Sequence, residues 1–176
     1  MRTAWLLPLV IAAAGCSSRE EPAVPVPLSA SEAPAMPLIT LEEVKAALGK
    51  PEGKALLVVL WRAEADGTEA ALAAADAMAA RHAKEGLKTL ALNIDMPDAV
   101  REQALPLLET LGLKSLEARA YQDDVMGLGM VLDASWGGQV PAAFVYDAEG
   151  AQRYKARGKG AVEGAAAAVA AALAGG

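Results

Sequence analysis

The chain is poor in the side chains that carry most enzyme chemistry. Its 176 residues include one cysteine, Cys16, and one histidine, His82. A lone thiol cannot cycle through an intramolecular disulfide, and a lone imidazole excludes a multi-histidine metal centre. No metal and no cofactor is expected. Aromatic residues make up 4% of the chain, with Phe144 the single phenylalanine, so apolar faces must be read through Leu, Val and Ala. Positive charge is also in the minority. The formal balance is −6, which argues against nucleic acid as a partner, because phosphate neutralisation selects for clustered Lys and Arg. Nor is there a long apolar run at the start: the segment after Arg2 holds about ten apolar residues, half of the ~20 a helix needs to span a bilayer.

What is present begins with Met1 to Cys16, MRTAWLLPLVIAAAGC, one basic residue followed by a short apolar stretch and small residues. This is the pattern of a secretory signal over residues 1–15. Its ending, Ala13-Ala14-Gly15-Cys16, resembles the bacterial lipoprotein box, in which Cys16 receives lipid and becomes the first mature residue. The resemblance implies anchoring to a membrane through Cys16 and, with Ser17 following, the outer membrane of a Gram-negative-type envelope, facing the periplasm. One acyl chain binds only marginally, whereas several on one cysteine hold a protein in place. Loss of Arg2, the only charge in residues 1–15, takes the mature balance to −7.

Residues 16–39 hold Pro22, Pro25, Pro27, Pro34 and Pro37 among small and acidic residues. Proline removes donors and fixes φ, so this stretch is expected as an extended tether. The folded domain is expected over 40–176. Thr40-Leu41-Glu42-Glu43 reads as a capping box opening a helix to Leu48, with a stop at Gly49. Ala55 to Trp61 is an unbroken apolar run, the signature of a strand buried on both faces. A helix should follow from Thr68 to Glu85, ended by Gly86, then a second buried strand from Leu87 to Ile94. Pro97 suits the first turn of a helix toward Gly112, which Pro106 should break or kink. Residues 113–139 give no clear pattern. Pro141 to Tyr146 and Gln152 to Arg157 flank Asp147-Ala148-Glu149-Gly150 as a hairpin, and Val162 to Leu173 closes the chain as a helix.

Two stretches carry a family resemblance. Trp61-Arg62-Ala63-Glu64-Ala65-Asp66-Gly67-Thr68 resembles the strand-end loop of thioredoxin-like proteins of the TlpA type, in which a Cys-x-x-Cys pair opens the next helix; the two cysteine positions here hold Ala65 and Thr68. Trp136 to Gly150, WGGQVPAAFVYDAEG, is similar to the family's strand after its cis-proline. The resemblance covers residues 40–176 and implies an α/β, thioredoxin-like fold: a central mixed β-sheet, a parallel βαβ half joined to an antiparallel ββα half, flanked by helices. It also implies a cis Val140–Pro141 bond beside Ala65 and Asp66, and a partner chain held by backbone pairing at Val140.

Several other residues invite a chemical reading. Glu64 with Asp66 has the look of paired carboxylates, and Asp123, Asp124 and Asp133 of oxygen ligands, but no motif fixes their spacing and solvated or capping roles are expected. His82 sits near a helix C-terminus, where the dipole favours a charged imidazole. Trp61 and Trp136 stand open between an aromatic lip on a groove and core filling. Arg153, Lys155, Arg157 and Lys159 alternate along one strand face, as an edge charged against aggregation or a surface for anionic lipid. With no thiol in the loop, the expectation is a membrane-anchored thioredoxin-domain lipoprotein that is not an enzyme and binds an envelope protein or peptide. Competing readings are a thiol–disulfide oxidoreductase in cytochrome or envelope-protein maturation, and a structural envelope lipoprotein.

Overall fold

The computed structural model describes residues 36–175, and the expectations for the signal segment, Cys16 and the tether as far as residue 35 lie outside them. Thr40 caps helix α1, Leu41–Gly49, reciprocally: the Glu43 amide donates to Thr40 Oγ1 at 3.3 Å and the Thr40 amide donates to Glu43 Oε2 at 2.8 Å. Strand β1, Ala55–Trp61, is buried at all seven residues, as a central strand covered on both faces must be. Helix α2, Thr68–His82, ends through a short 3₁₀ turn at Gly86, whose φ of 99° is open to glycine. Strand β2, Leu87–Asn93, lies parallel to β1 in the register Ala55↔Leu87 to Trp61↔Asn93.

Pro97 opens helix α3, Pro97–Ala99, which widens into a π turn over Val100–Ala104 before helix α4, Leu105–Leu111. The expected break at Pro106 is thus taken up one turn earlier. That turn contains Glu102, whose carbonyl a regular α-helix would drive against the Pro106 ring. The stretch that gave no pattern holds strand β3, Ala118–Ala120, and helix α5, Val125–Leu132. Strand β4, Ala142–Asp147, and strand β5, Gln152–Arg157, form the expected hairpin, and helix α6, Ala166–Gly175, follows a 3₁₀ turn.

The sheet order is β3-β2-β1-β4-β5, with β1, β2 and β3 parallel and β4 antiparallel to both β1 and β5. Alternate residues of β1 feed two cores. Leu57, Val59 and Trp61 face α2 and α6, while Leu56, Val58 and Leu60 face α1 and α5. The last four residues of the expected tether belong to the domain instead. Met36 is buried, and residues 37–39 bond the outer edge of β3, the Ala120 amide donating to the Pro37 carbonyl and the Ile39 amide to the Ala120 carbonyl.

Candidate functional site

The parallel strands β1 and β2 end together, so the loop after Trp61 emerges beside the residues after Asn93. Four contacts fix that loop. Asp95 Oδ2 accepts the Ala63 amide and the Asn93 side-chain amide, both at 2.8 Å. Gln103 Nε2 donates to Glu64 Oε1 at 2.8 Å, Thr68 Oγ1 to the Arg62 carbonyl at 2.8 Å, and Lys159 Nζ pairs with Asp66 Oδ2 at 2.7 Å. Gly67, at φ 86°, begins α2 and leaves room for Lys159, whose Cγ would lie 2.8 Å from a Cβ there.

Ala65 and Thr68 sit at the turn into α2, where the Thr68 amide donates to the Ala65 carbonyl at 3.1 Å. Thr68 is buried, and its hydroxyl closes the loop on itself. The Val140–Pro141 bond is cis. Since Leu60 pairs with Ala142, the antiparallel register brings Val140 and Pro141 alongside the start of the loop. Gly158 donates its amide to the Pro141 carbonyl at 2.7 Å, and the next residue, Lys159, holds Asp66, so both halves of the site share one strap. Among the described residues, the Val140 amide and carbonyl have no hydrogen-bond partner.

Trp136 positions this segment. Its indole N–H donates to the Gln139 carbonyl at 2.8 Å, and its ring lies on Gly129 of α5, where a Cβ would come within 2.7 Å of Cε3. Trp61 fills core and forms no lip; it is fully buried, and its indole N–H is without a partner. Glu64 and Asp66 turn to different partners and make no acid pair. Asp124 caps the start of α5 through the Met126 amide, whereas Asp133 follows its C-terminal end, bonded to Lys155, Arg157 and Ser135. Among the described residues no group of three or more acidic, histidine or cysteine side chains is placed to hold a metal. His82 Nδ1 meets Glu85 at 3.2 Å.

The cationic stripe is neutralised in place. Arg153 pairs with Asp147, Lys155 and Arg157 with Asp133, and Lys159 with Asp66. Lys155 first, then Arg157 and Ser135, hold the Asp133 carboxyl well below the usual carboxylate range. Burial alone would raise Asp147, but bonds from the Ala151 amide and Arg153 outweigh it and leave that carboxyl lowered. Sequence reasoning missed Asp95, Gln103 and Gly158. Asp95 carries a faint signal, since an Asn two residues before it makes an Asx-type turn onto its amide at 3.2 Å.

No protein-family model and no curated protein matches the sequence. Solved structures do match. The chain superposes on a thioredoxin-family thiol:disulfide interchange protein from Chlorobium tepidum at TM-score 0.58, with 17% identity over 73% of this chain and 84% of that one. It superposes on a thiol:disulfide interchange protein from Bacteroides sp. at 0.51, with 18% identity over 69% and 76%. The thioredoxin domain of a thiol-disulfide oxidoreductase from Bacteroides vulgatus also gives 0.51, with 17% identity over 67% and 81%. Similarity at this level speaks to architecture, and with the sheet order, the loop at the β1 end and the cis-proline facing it, it makes this chain a thioredoxin-like α/β domain.

Proposed function

We propose that this is a lipid-anchored thioredoxin-fold protein of the bacterial envelope that binds a protein or peptide and performs no thiol–disulfide exchange. The observation that carries the reading is the unpaired amide and carbonyl of Val140, presented next to a loop pinned by Asp95, Gln103 and Lys159. Such a pair is the minimum for adding an extended chain by backbone bonds, a mode of recognition that requires no sulfur. Exchange chemistry requires a thiolate, and Ala65 and Thr68 supply none. Cys16, as the acylated first residue, supplies the attachment to the outer membrane. The solved relatives' description as interchange proteins favours the same surface for a partner chain.

Two measurements test the reading. Purified protein should reduce insulin no faster than a protein-free control, and faster reduction overturns it in favour of an oxidoreductase. A photoreactive residue at Gln139 should capture a partner in cells that the same residue at Glu149, in the β4–β5 turn, does not. Equal capture from both positions removes Val140 from the binding surface.

A further inference from the structure

Strands β1, β2 and β3 are parallel and end in line, Trp61 beside Asn93 and Asn93 beside Ala120, so the three loops that leave them open onto one end of the sheet. Val140 reaches the same end through the pairing of Ala142 with Leu60. Those loops, residues 62–67, 94–98 and 121–124, carry six carboxylates and one cation, Arg62. Cations from neighbouring elements offset only part of this. Arg101 pairs with Asp98 and Lys159 with Asp66, while Lys155 and Arg157 share Asp133. The helical turns after the first two loops add Glu69 and Glu102. With paired and unpaired groups all counted, this end holds nine carboxylates against five cations, and the rest of residues 36–175 holds ten against nine. The excess negative charge of the domain is thus gathered around Val140, where carboxylates that repel one another do nothing for the fold.

The same end exposes apolar side chains. Among the described residues, four large ones stand mostly in solvent: Leu38, Met96, Met126 and Met130. Met96, 76% exposed, lies between the end of β2 and α3, and Met126, 75% exposed, is in the first turn of α5, just past the loop that leaves β3. Met126 is three residues from Gly129 and Met130 is next to it, so both flank the side of α5 that Trp136 covers. Methionine is unbranched and polarisable and fits apolar partners of differing shape. Exposed apolar groups inside a charged rim mark a surface built for contact. A chain crossing the strand ends from β4 to β3 spans three interstrand spacings, about 15 Å, which about five extended residues cover.

We propose that the chain taken up at Val140 is an extended basic segment, in which lysine or arginine alternates with apolar residues. Its backbone pairs with Val140, its cations lie against Glu64, Asp123 and their neighbours, and its apolar side chains rest on Met96 and Met126. The inference rests on the reading of Val140 as a backbone-pairing site and adds to it the chemistry of the partner.

Amide hydrogen exchange on the full chain, with a short peptide alternating lysine and valine, reads the backbone contact. The Val140 amide should exchange fast in the free protein and about tenfold or more slowly with peptide. A glutamate–valine peptide and a lysine–serine peptide should each bind about tenfold more weakly, the first through charge and the second through lost apolar contact. The lysine–valine peptide should lose about tenfold in affinity for Asp123→Lys, and again for Met96→Gln with Met126→Gln. All three side chains are exposed, so these changes leave the core untouched. Equal binding of the lysine and glutamate peptides overturns the basic segment and leaves Val140 as a backbone site. Binding that survives N-methylation of the peptide and does not slow Val140 also overturns the proposal, because it is adsorption of a polycation. Unchanged affinity in the methionine variant removes the apolar half of the match. If no peptide slows Val140, the photoreactive residue at Gln139 decides what has failed: with capture in cells the basic partner alone is wrong, and without it the Val140 reading falls too.

Discussion

The two glycines inside α5 make opposite predictions on substitution by alanine. Glycine costs about 1 kcal/mol against alanine in a helix interior, so propensity alone says that Gly127→Ala and Gly129→Ala both stabilise. At Gly129 the new Cβ would stand 2.7 Å from Trp136 Cε3, about 1 Å inside a comfortable carbon–carbon contact. Backbone and ring are both packed, and overfilling such a site costs about 1–3 kcal/mol. If the indole gives way, its 2.8 Å bond to the Gln139 carbonyl goes with it, and a donor left unsatisfied in the interior costs about 1–3 kcal/mol more. Net destabilisation of about 2–3 kcal/mol is expected for Gly129→Ala after the propensity gain. At Gly127 the obstacle is Asp124 Oδ2 at 2.5 Å, the end of an exposed side chain that can rotate. Its displacement weakens the cap on Met126, worth about 1 kcal/mol, so Gly127→Ala should fall within about 1 kcal/mol of the parent. Urea unfolding followed by tryptophan fluorescence measures both, and the Trp136 indole proton in an NMR spectrum reports its hydrogen bond directly. A Gly129→Ala protein as stable as the parent or more so, with its indole resonance unmoved, would refute the account of how Trp136 is seated and of what steadies Val140.

Three further outcomes are expected. Ala65→Cys with Thr68→Cys should form an internal disulfide and confer insulin reduction, since a helix N-terminus lowers the pKa of the first thiol; failure to oxidise would show that the loop no longer has the exchange geometry. Asp133 and Asp147 have lowered carboxyl pKa values, so the stability they supply is complete above the ordinary aspartate range and is lost as pH falls through their lower folded values; Asp133→Asn should be less stable at neutral pH and show a shallower acid limb in an unfolding titration, and an unchanged limb refutes this. Asp76 Oδ1 accepts the amides of Lys114, Ser115 and Leu116 at 3.0, 2.6 and 2.9 Å; Asp76→Ala should cost about 1–3 kcal/mol and speed exchange at those three amides, with unchanged exchange counting against it.

The sequence was most legible where one physical rule acted alone. The seven apolar residues of β1, the Thr40 box, the Gly86 stop and the Asp147 turn each appear where local chemistry puts them. Legibility failed in 113–139, where a tertiary contact overrides propensity. Helix α5 carries glycines because Asp124 and Trp136 occupy the space of their side chains, so its pattern reads as a helix only once those neighbours are known. The tether boundary was misplaced because Pro34 and Pro37 signal an extended chain, and extended chain is also what pairs with the edge of β3. At the site, Ala65, Thr68, Val140 and Pro141 could be placed through the family pattern. Their anchors, Asp95, Gln103 and Lys159, come from three separate elements and share no spacing that a linear reading would pick out.

The bond from the buried Thr68 hydroxyl to the Arg62 carbonyl has a consequence for the conditions under which this domain can work. In a dithiol version of the loop, the segment exists in two covalent forms whose proportions follow the redox poise of the compartment. Here the same turn is closed by a hydroxyl, a carboxamide, an ammonium group and three carboxylates, none of which gains or loses electrons under such conditions. The geometry that this loop presents beside Val140 is therefore the same in an oxidising medium and in a reducing one, and affinity measured in either describes the same surface.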